Sequence, residues 1–202
     1  ASDAILAKLA NETWGDDGAW VTDGGGGTAW DSIVYDTVNV QVLIGGGNGA
    51  PLKPYIRRPN SDCDNLFLSS ILAVDADTGA YRWHYQTTPR DRWDYTATQQ
   101  IMLADLPLGE KGASRRVIMQ APKNGFFYVL DAADGELISA TPFTNQNWTT
   151  GEFDENGRPV LIEEAVDMAL TVVIPGPTGA HNWHPMAFNP DTGLVYIPVN
   201  EI

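Results

Sequence analysis

AVDADTGAYRWHYQTTPRDRWDYTATQ, Ala73 to Gln99, decides how the rest of the chain is read. Its opening residues read as a strand, Asp77-Thr78-Gly79 as a turn, and Tyr81, Trp83 and Tyr85 as a returning strand. Asp and Thr cap such a bend with side-chain hydrogen bonds, and Gly accepts the positive φ that follows. At Pro89 the chain leaves the sheet and presents a carboxylate, Asp94, between Trp93 and Tyr95. A rigid hairpin that runs into a carboxylate-bearing loop is a common way for a sheet to present chemistry.

Working outward, the same plan recurs. SIVYDTVNVQVLI, LAVDADTGAYRWHYQ, YVLDAADGELISA and MAFNPDTGLVYIPV each place a polar turn between two apolar strands. The residues opening the turns are Asp36, Asp75, Asp131 and Asn189, at spacings of 39, 56 and 58. Repeats of several strands every ~40–50 residues indicate β-propeller blades, four-stranded antiparallel sheets set radially. Three to four such units are too few to close a ring, so the chain is expected to be part of one propeller domain over residues 1–202, incomplete at both ends. Single strands are expected at 32–36, 39–44, 69–75, 80–86, 99–104, 116–121, 126–131, 184–189 and 194–199. A short helix is expected over Ser2–Leu9 with Ser2 as cap, and helical character over Glu163–Leu170.

Composition bounds the function. Twelve Lys and Arg against 26 Asp and Glu leave a net charge of −14, the wrong sign for neutralising phosphates, which excludes nucleic acid as a partner. No apolar run reaches membrane-spanning length. The N-terminus, ASDAILAKLANETWG, lacks the charged start and long apolar core of a signal peptide. Cys63 is the one cysteine, so no internal disulfide forms. Seven Trp, 20 Gly and 13 Pro fit an all-β protein rich in turns.

Several stretches have the residue types for chemistry. GGGNGAP, Gly45 to Pro51, imitates a dinucleotide loop, but Pro51 and Pro54 follow it where an amphipathic helix would have to begin. It reads instead as a glycine-rich turn that holds Asn48 in an unusual backbone conformation, or as a loop in which Asn48 offers its side-chain oxygen to a hard cation. Trp30, after four glycines, reads as core packing or as a stacking platform for a planar ligand. Asp94 sits where a carboxylate needs a cation or donor beside it, unless its loop is simply exposed. His181 and His184 have no third ligand of matching type nearby and read as packing and hydrogen-bonding residues. The sequons at Asn11 and Asn147 are taken as chance matches.

These stretches acquire a common meaning through resemblance. GGGGTAWDS, GGGNGAP, DNLFLSSILAVDADTGAYRWHYQTTPRDRWDYTATQQ, APKNGFFYVLD and HNWHPMAFNPDTGLVYIPVNE, in this order, closely resemble the pyrroloquinoline quinone (PQQ)-dependent alcohol dehydrogenases, from about Thr13 to Glu201. That family implies an eight-bladed propeller with PQQ near its axis beside calcium, at work in the bacterial periplasm. By the resemblance Trp30 stacks on the quinone, Thr28, Lys123 and Asn182 contact it, Asn48 and Asp94 meet the calcium, and Asp94 is the catalytic base. Thr96 stands where lanthanide-using relatives carry a second Asp, which implies calcium. The implied reaction is oxidation of a primary alcohol to an aldehyde by hydride transfer to PQQ, with electrons passed on to an acceptor such as a cytochrome c or a haem domain.

The chain also departs from the family. Its glutamate ligand to calcium and its vicinal cysteine pair have no counterpart here, and Leu52 stands where Trp is common. The expectation is therefore a segment that needs the remaining blades and is inactive by itself. The alternative is a propeller module that kept the blades as a binding scaffold and carries no cofactor.

Overall fold

The computed structural model describes residues 2–14, 24–57, 63–166 and 172–201. The chain opens with helix α1 (Ser2–Trp14), longer than expected; the side chain of Ser2, its anticipated cap, lies outside the described residues. Thr13 ends α1 by donating to Leu9 O and accepting from Leu66 N, so the first sequon is part of a helix end.

Two four-stranded antiparallel sheets follow. The first runs β1 (Ile33–Asp36), β2 (Gln41–Gly45), β3 (Ser70–Asp75) and β4 (Tyr81–Gln86), each strand paired to the next. The second runs β5 (Met102–Leu106), β6 (Arg115–Gln120), β7 (Phe126–Asp131) and β8 (Leu137–Pro142). Two smaller hairpins are β9 (Thr149–Phe153) with β10 (Pro159–Leu161), and β11 (Ala187–Asn189) with β12 (Leu194–Tyr196). Single helical turns, α2 (Pro54–Arg57) and α3 (Glu163–Val166), complete the elements that matter here. Thus one helical turn does form after the glycine loop, because Pro is favourable at a first helical position.

The repeat has a longer period than the four turn residues imply. Asp36 and Asp75 open two turns of one sheet, β1–β2 and β3–β4. The turns equivalent to that at Asp75 open at Asp131 and Asn189, and they are built alike. Asp75 Oδ1 accepts from Asp77 N, Thr78 N and Thr78 Oγ1, Asp131 Oδ1 accepts from Ala133 N, and Asn189 Oδ1 accepts from Asp191 N. Gly79, Gly135 and Gly193 close them at φ of 71°, 78° and 68°.

The blades stack face to face. Alternation in β2, β3 and β4 turns Leu43, Ile71, Ala73, Trp83 and Tyr85 toward the second sheet, which answers with Ile118, Phe126, Tyr128 and Leu130. Trp93, Tyr95 and Trp148 fill the same interior. The opposite face of the second sheet, through Ala104, Val117, Met119 and Val129, packs on Phe188 and Val195 of the β11–β12 hairpin. Sheets that bury both faces against their neighbours are the packing of a propeller. Trp83 shows how close the approach is: a Cβ on Gly135 would lie 2.5 Å from its indole. Polar contacts also cross the interface, among them Gln41 Nε2 to Ala132 O and Arg116 Nε to Asp36 Oδ1 at 3.2 Å.

Candidate active site

The loops at one end of the two blades meet, and backbone hydrogen bonds set their order. The glycine run pairs with the Asn48 loop: Gly27 N donates to Asn48 O (2.9 Å) and Ala50 N donates to Gly25 O (3.0 Å). A Cβ on Gly26 would fall 2.3 Å from Asn48 O, so the close approach requires glycine. Behind it, a Cβ on Gly47 would meet Thr28 O at 2.8 Å and Trp30 Nε1 at 3.4 Å. Thr28 and Trp30 therefore lie against the residue that precedes Asn48. On its other side the same loop meets the Asp94 segment, where Ala97 N donates to Gly46 O (3.0 Å).

Trp30 is not core. It is 36% exposed, and its ring faces Trp183 with centroids 4.6 Å apart and planes tilted by 44°. Asn48 is half-buried and donates Nδ2–H to Gly49 O.

Asp94 is held by its neighbours. The buried carboxylate of Asp91 accepts from Trp93 N (3.1 Å) and Tyr95 N (3.0 Å), a bracket around the residue between them. Asp94 itself takes φ of +70°, a costly conformation for a residue with a Cβ, and one that concentrates at functional sites. Burial pushes the Asp91 carboxyl up, against the pull of the hydrogen bonds from Tyr95 and Trp93. Burial likewise raises the Tyr95 phenol, and the Asp91 charge adds to it, so Tyr95 stays a donor, to Pro175 O at 2.5 Å.

Lys123 reaches Asp94 from the second blade. Its Nζ lies 2.7 Å from Asp94 Oδ2, with the lysine side chain 6% and the aspartate 31% exposed. The loop 179–182 closes over Lys123: Ala180 N donates to Lys123 O, and a Cβ on Gly179 would strike Lys123 Cγ at 2.4 Å. Asn182 joins through Gln99, whose Nε2 donates to Asn182 Oδ1 (3.2 Å) and to Thr96 Oγ1 (2.9 Å). Thr28, Trp30, Asn48, Asp94, Lys123 and Asn182 are thus linked through neighbouring loops. Gln99, Asp91 and Trp183 were not singled out from sequence. Asp91 carries the one signal available, an acidic residue three positions before a candidate base.

His181 is buried, with Nδ1 2.5 Å from Ala121 O and Nε2 2.7 Å from His184 O, the packing role expected of it. Asn147 of the second sequon is engaged too, donating to Val172 O and accepting from Ile174 N. Beside Trp93 an apolar hollow of about 200 Å³ is lined by Leu52, Arg92, Trp93, Val173, Pro175 and Pro177.

Residues 6–153 match the PQQ family described as glucose/ethanol/alcohol dehydrogenase, β-propeller domain. The chain belongs to this family. It is similar to the quinohemoprotein alcohol dehydrogenase of Comamonas testosteroni, 50% identical over 196 residues, covering 96% of this chain and 27% of that relative. The ADH-IIG enzyme of Pseudomonas putida, also a quinohemoprotein alcohol dehydrogenase, is 54% identical over 197 residues. Its solved structure superposes with a TM-score of 0.87 at 55% identity, covering 95% of this chain and 28% of that one. A europium-containing methanol dehydrogenase superposes at 0.82 with 35% identity. The chain spans about a quarter of the length of the curated relatives it matches. Family and fold thus agree: the two complete sheets are blades of a PQQ propeller.

The donor set suits, in kind, a flat quinone such as PQQ and a hard cation. Asn48 and Asp94 offer hard oxygens of the type calcium takes, and an indole one-third exposed offers a face to a flat ring. Among the described residues no group of three or more His, Cys, Asp or Glu gathers at one point. A calcium ion takes about 6–8 oxygens, so other donors would have to complete a shell begun by Asn48 and Asp94.

Proposed function

We propose that this chain is part of the catalytic propeller of a periplasmic quinoprotein that oxidises a primary alcohol to an aldehyde. PQQ supplies the hydride acceptor when bound, with calcium beside it as a Lewis acid. The ion pair of Asp94 with Lys123 carries the reading, since it sets a carboxylate and a buried cation at the edge of the loops that bear Asn48 and Trp30.

Each residue then has a task. Asp94 takes the hydroxyl proton of the alcohol as the carbinol hydride leaves. Lys123 orients that carboxylate and adds positive charge where negative charge develops. Trp30 would serve as the platform for the quinone, Thr28 would be a nearby polar contact, and Asn182, oriented by Gln99 and by its own bond to Thr178 O, would be another. Asn48 and Asp94 would contribute oxygens to the cation. Thr96, an uncharged residue whose hydroxyl accepts from Thr98 and Gln99, adds no charge to the site, which favours calcium over a trivalent ion. The hollow beside Trp93 takes the apolar part of the alcohol. Electrons pass on to a cytochrome c or a haem domain, and blades from the rest of the polypeptide complete the ring.

The test is dye-linked alcohol oxidation by the full-length protein reconstituted with PQQ and calcium. Asp94→Asn is expected to lower kcat by about 10²–10⁴-fold. Unchanged turnover would remove Asp94 from its role as base.

A further inference from the structure

The scheme above makes no use of Arg57, a buried cation in α2 that is only 3% exposed. A guanidinium out of water is costly unless its N–H groups are answered. Here they are answered from three separate segments. Nη1 donates to Pro51 O (2.8 Å) and Leu52 O (2.9 Å), just after Asn48. Nε and Nη2 both donate to Asn65 Oδ1, at 3.1 and 2.9 Å. Nη2 donates as well to Asp91 O at 3.1 Å, on the segment whose carboxylate brackets Asp94. The guanidinium also lies close against the loop: a Cβ on Gly49, next to Asn48, would fall 2.2 Å from Nη1.

We infer that Arg57 is a positioning residue that fixes the loop carrying Asn48 against the loop carrying Asp94, and so sets the spacing of cation ligand and base. The inference rests on the function proposed above for those two residues. The fork geometry is what matters. One planar group reaches carbonyls on both loops at once, whereas the point charge of a lysine cannot hold that set of bonds in fixed directions. The anchor is Asn65, which is itself fixed where its N–H donates to Thr13 O at the end of α1. Substitution there would loosen the fork without removing the charge.

The experiment uses the full-length protein reconstituted with PQQ, titrated calorimetrically with calcium chloride, and assayed for kcat and KM. Arg57→Lys is expected to raise the calcium Kd at least tenfold and to lower kcat with KM for the alcohol little changed. Asn65→Ala, which keeps the arginine, is expected to shift both in the same direction by a smaller factor, and it serves if the lysine variant does not fold. A folded variant of either kind whose calcium Kd and kcat stay within twofold of wild type overturns the inference, even if its Tm has dropped, because a residue that merely stabilises the fold would do that. Asn48→Ala and Asp94→Asn run alongside. If these two also leave calcium binding and kcat unchanged, it is the underlying assignment of ligand and base that fails.

Discussion

Lys123 and Asp94 face each other across the junction of two blades, 2.7 Å apart, with the lysine almost entirely enclosed. With the lysine enclosed and the carboxylate only partly exposed, the pair is screened by salt less than a surface ion pair would be. Lys123→Ala is expected to lower kcat by about 10²-fold, the effect of removing one preorganised donor, with partial recovery in Lys123→Arg. Steady-state kinetics of the two variants checks this, and equal kcat for alanine and wild type would leave the lysine with a packing role. Asp94 could be singled out from sequence because two aromatic residues flank it. Its bracket by Asp91 could not, because that depends on a carboxylate folding back on N–H groups two and four residues later.

At the scale of elements, the Asp75 turn and its copies decide how hairpins close and where they touch. Gly135 combines φ of 78° with the indole of Trp83 against its face, so both backbone and space demand glycine. Gly135→Ala is expected to cost about 1–3 kcal/mol and to lower Tm by several degrees, whereas Gly193→Ala, with open space around it, carries the backbone strain alone. Thermal unfolding of the two variants separates the contributions. Asp36 at the first turn illustrates a pH effect. Burial raises its carboxyl, but hydrogen bonds from Asn39, Val38 and Gln41 together with the Arg116 charge outweigh that and leave it lowered. A lowered native pKa contributes stability that is complete above the ordinary aspartate value of about 3.9 and is lost as pH falls below it. Urea unfolding at pH 6 and pH 3 is expected to show that loss in wild type and a smaller one in Asp36→Asn.

For the whole molecule, the interior between the blades is aromatic, with Trp93, Tyr95, Phe126 and Phe153 all within 6.0 Å, centroid to centroid, of Trp148 or Phe126. Trp148 is fully buried, and its Nε1 donates to Asn124 O beside Lys123. Trp148→Ala is expected to cost about 3–5 kcal/mol, and circular dichroism under urea measures it. The outer faces tell the complementary story. Ile33 and Tyr35 on β1 are 61% and 54% exposed, and Leu194 and Tyr196 on β12 are 53% and 55% exposed. If further blades cover them in the full-length protein, residues 1–202 expressed alone should bind a hydrophobic dye that the full-length protein does not. Equal dye binding by both would count against stacked blades at those faces.

Hairpin, turn and loop were legible in the residues because each is set by neighbours within ten or so positions: alternation makes strands, and an Asp or Asn followed four residues later by Gly closes the hairpins at Asp75, Asp131 and Asn189. The blade period was not, since Asp36 and Asp75 look like successive repeats and only strand pairing puts them in one sheet. The candidate site divides the same way. Trp30, Asn48 and Asp94 were visible as residue types in distinctive settings, and Thr28, Lys123 and Asn182 only through the family resemblance, while their grouping depends on contacts between segments as much as 153 residues apart, from Trp30 to Trp183. Local chemistry determined what each segment of this protein is. Long-range packing alone decided which segments meet, because a buried fork such as Arg57 finds its acceptors in three dimensions and leaves no spacing in the chain to betray them.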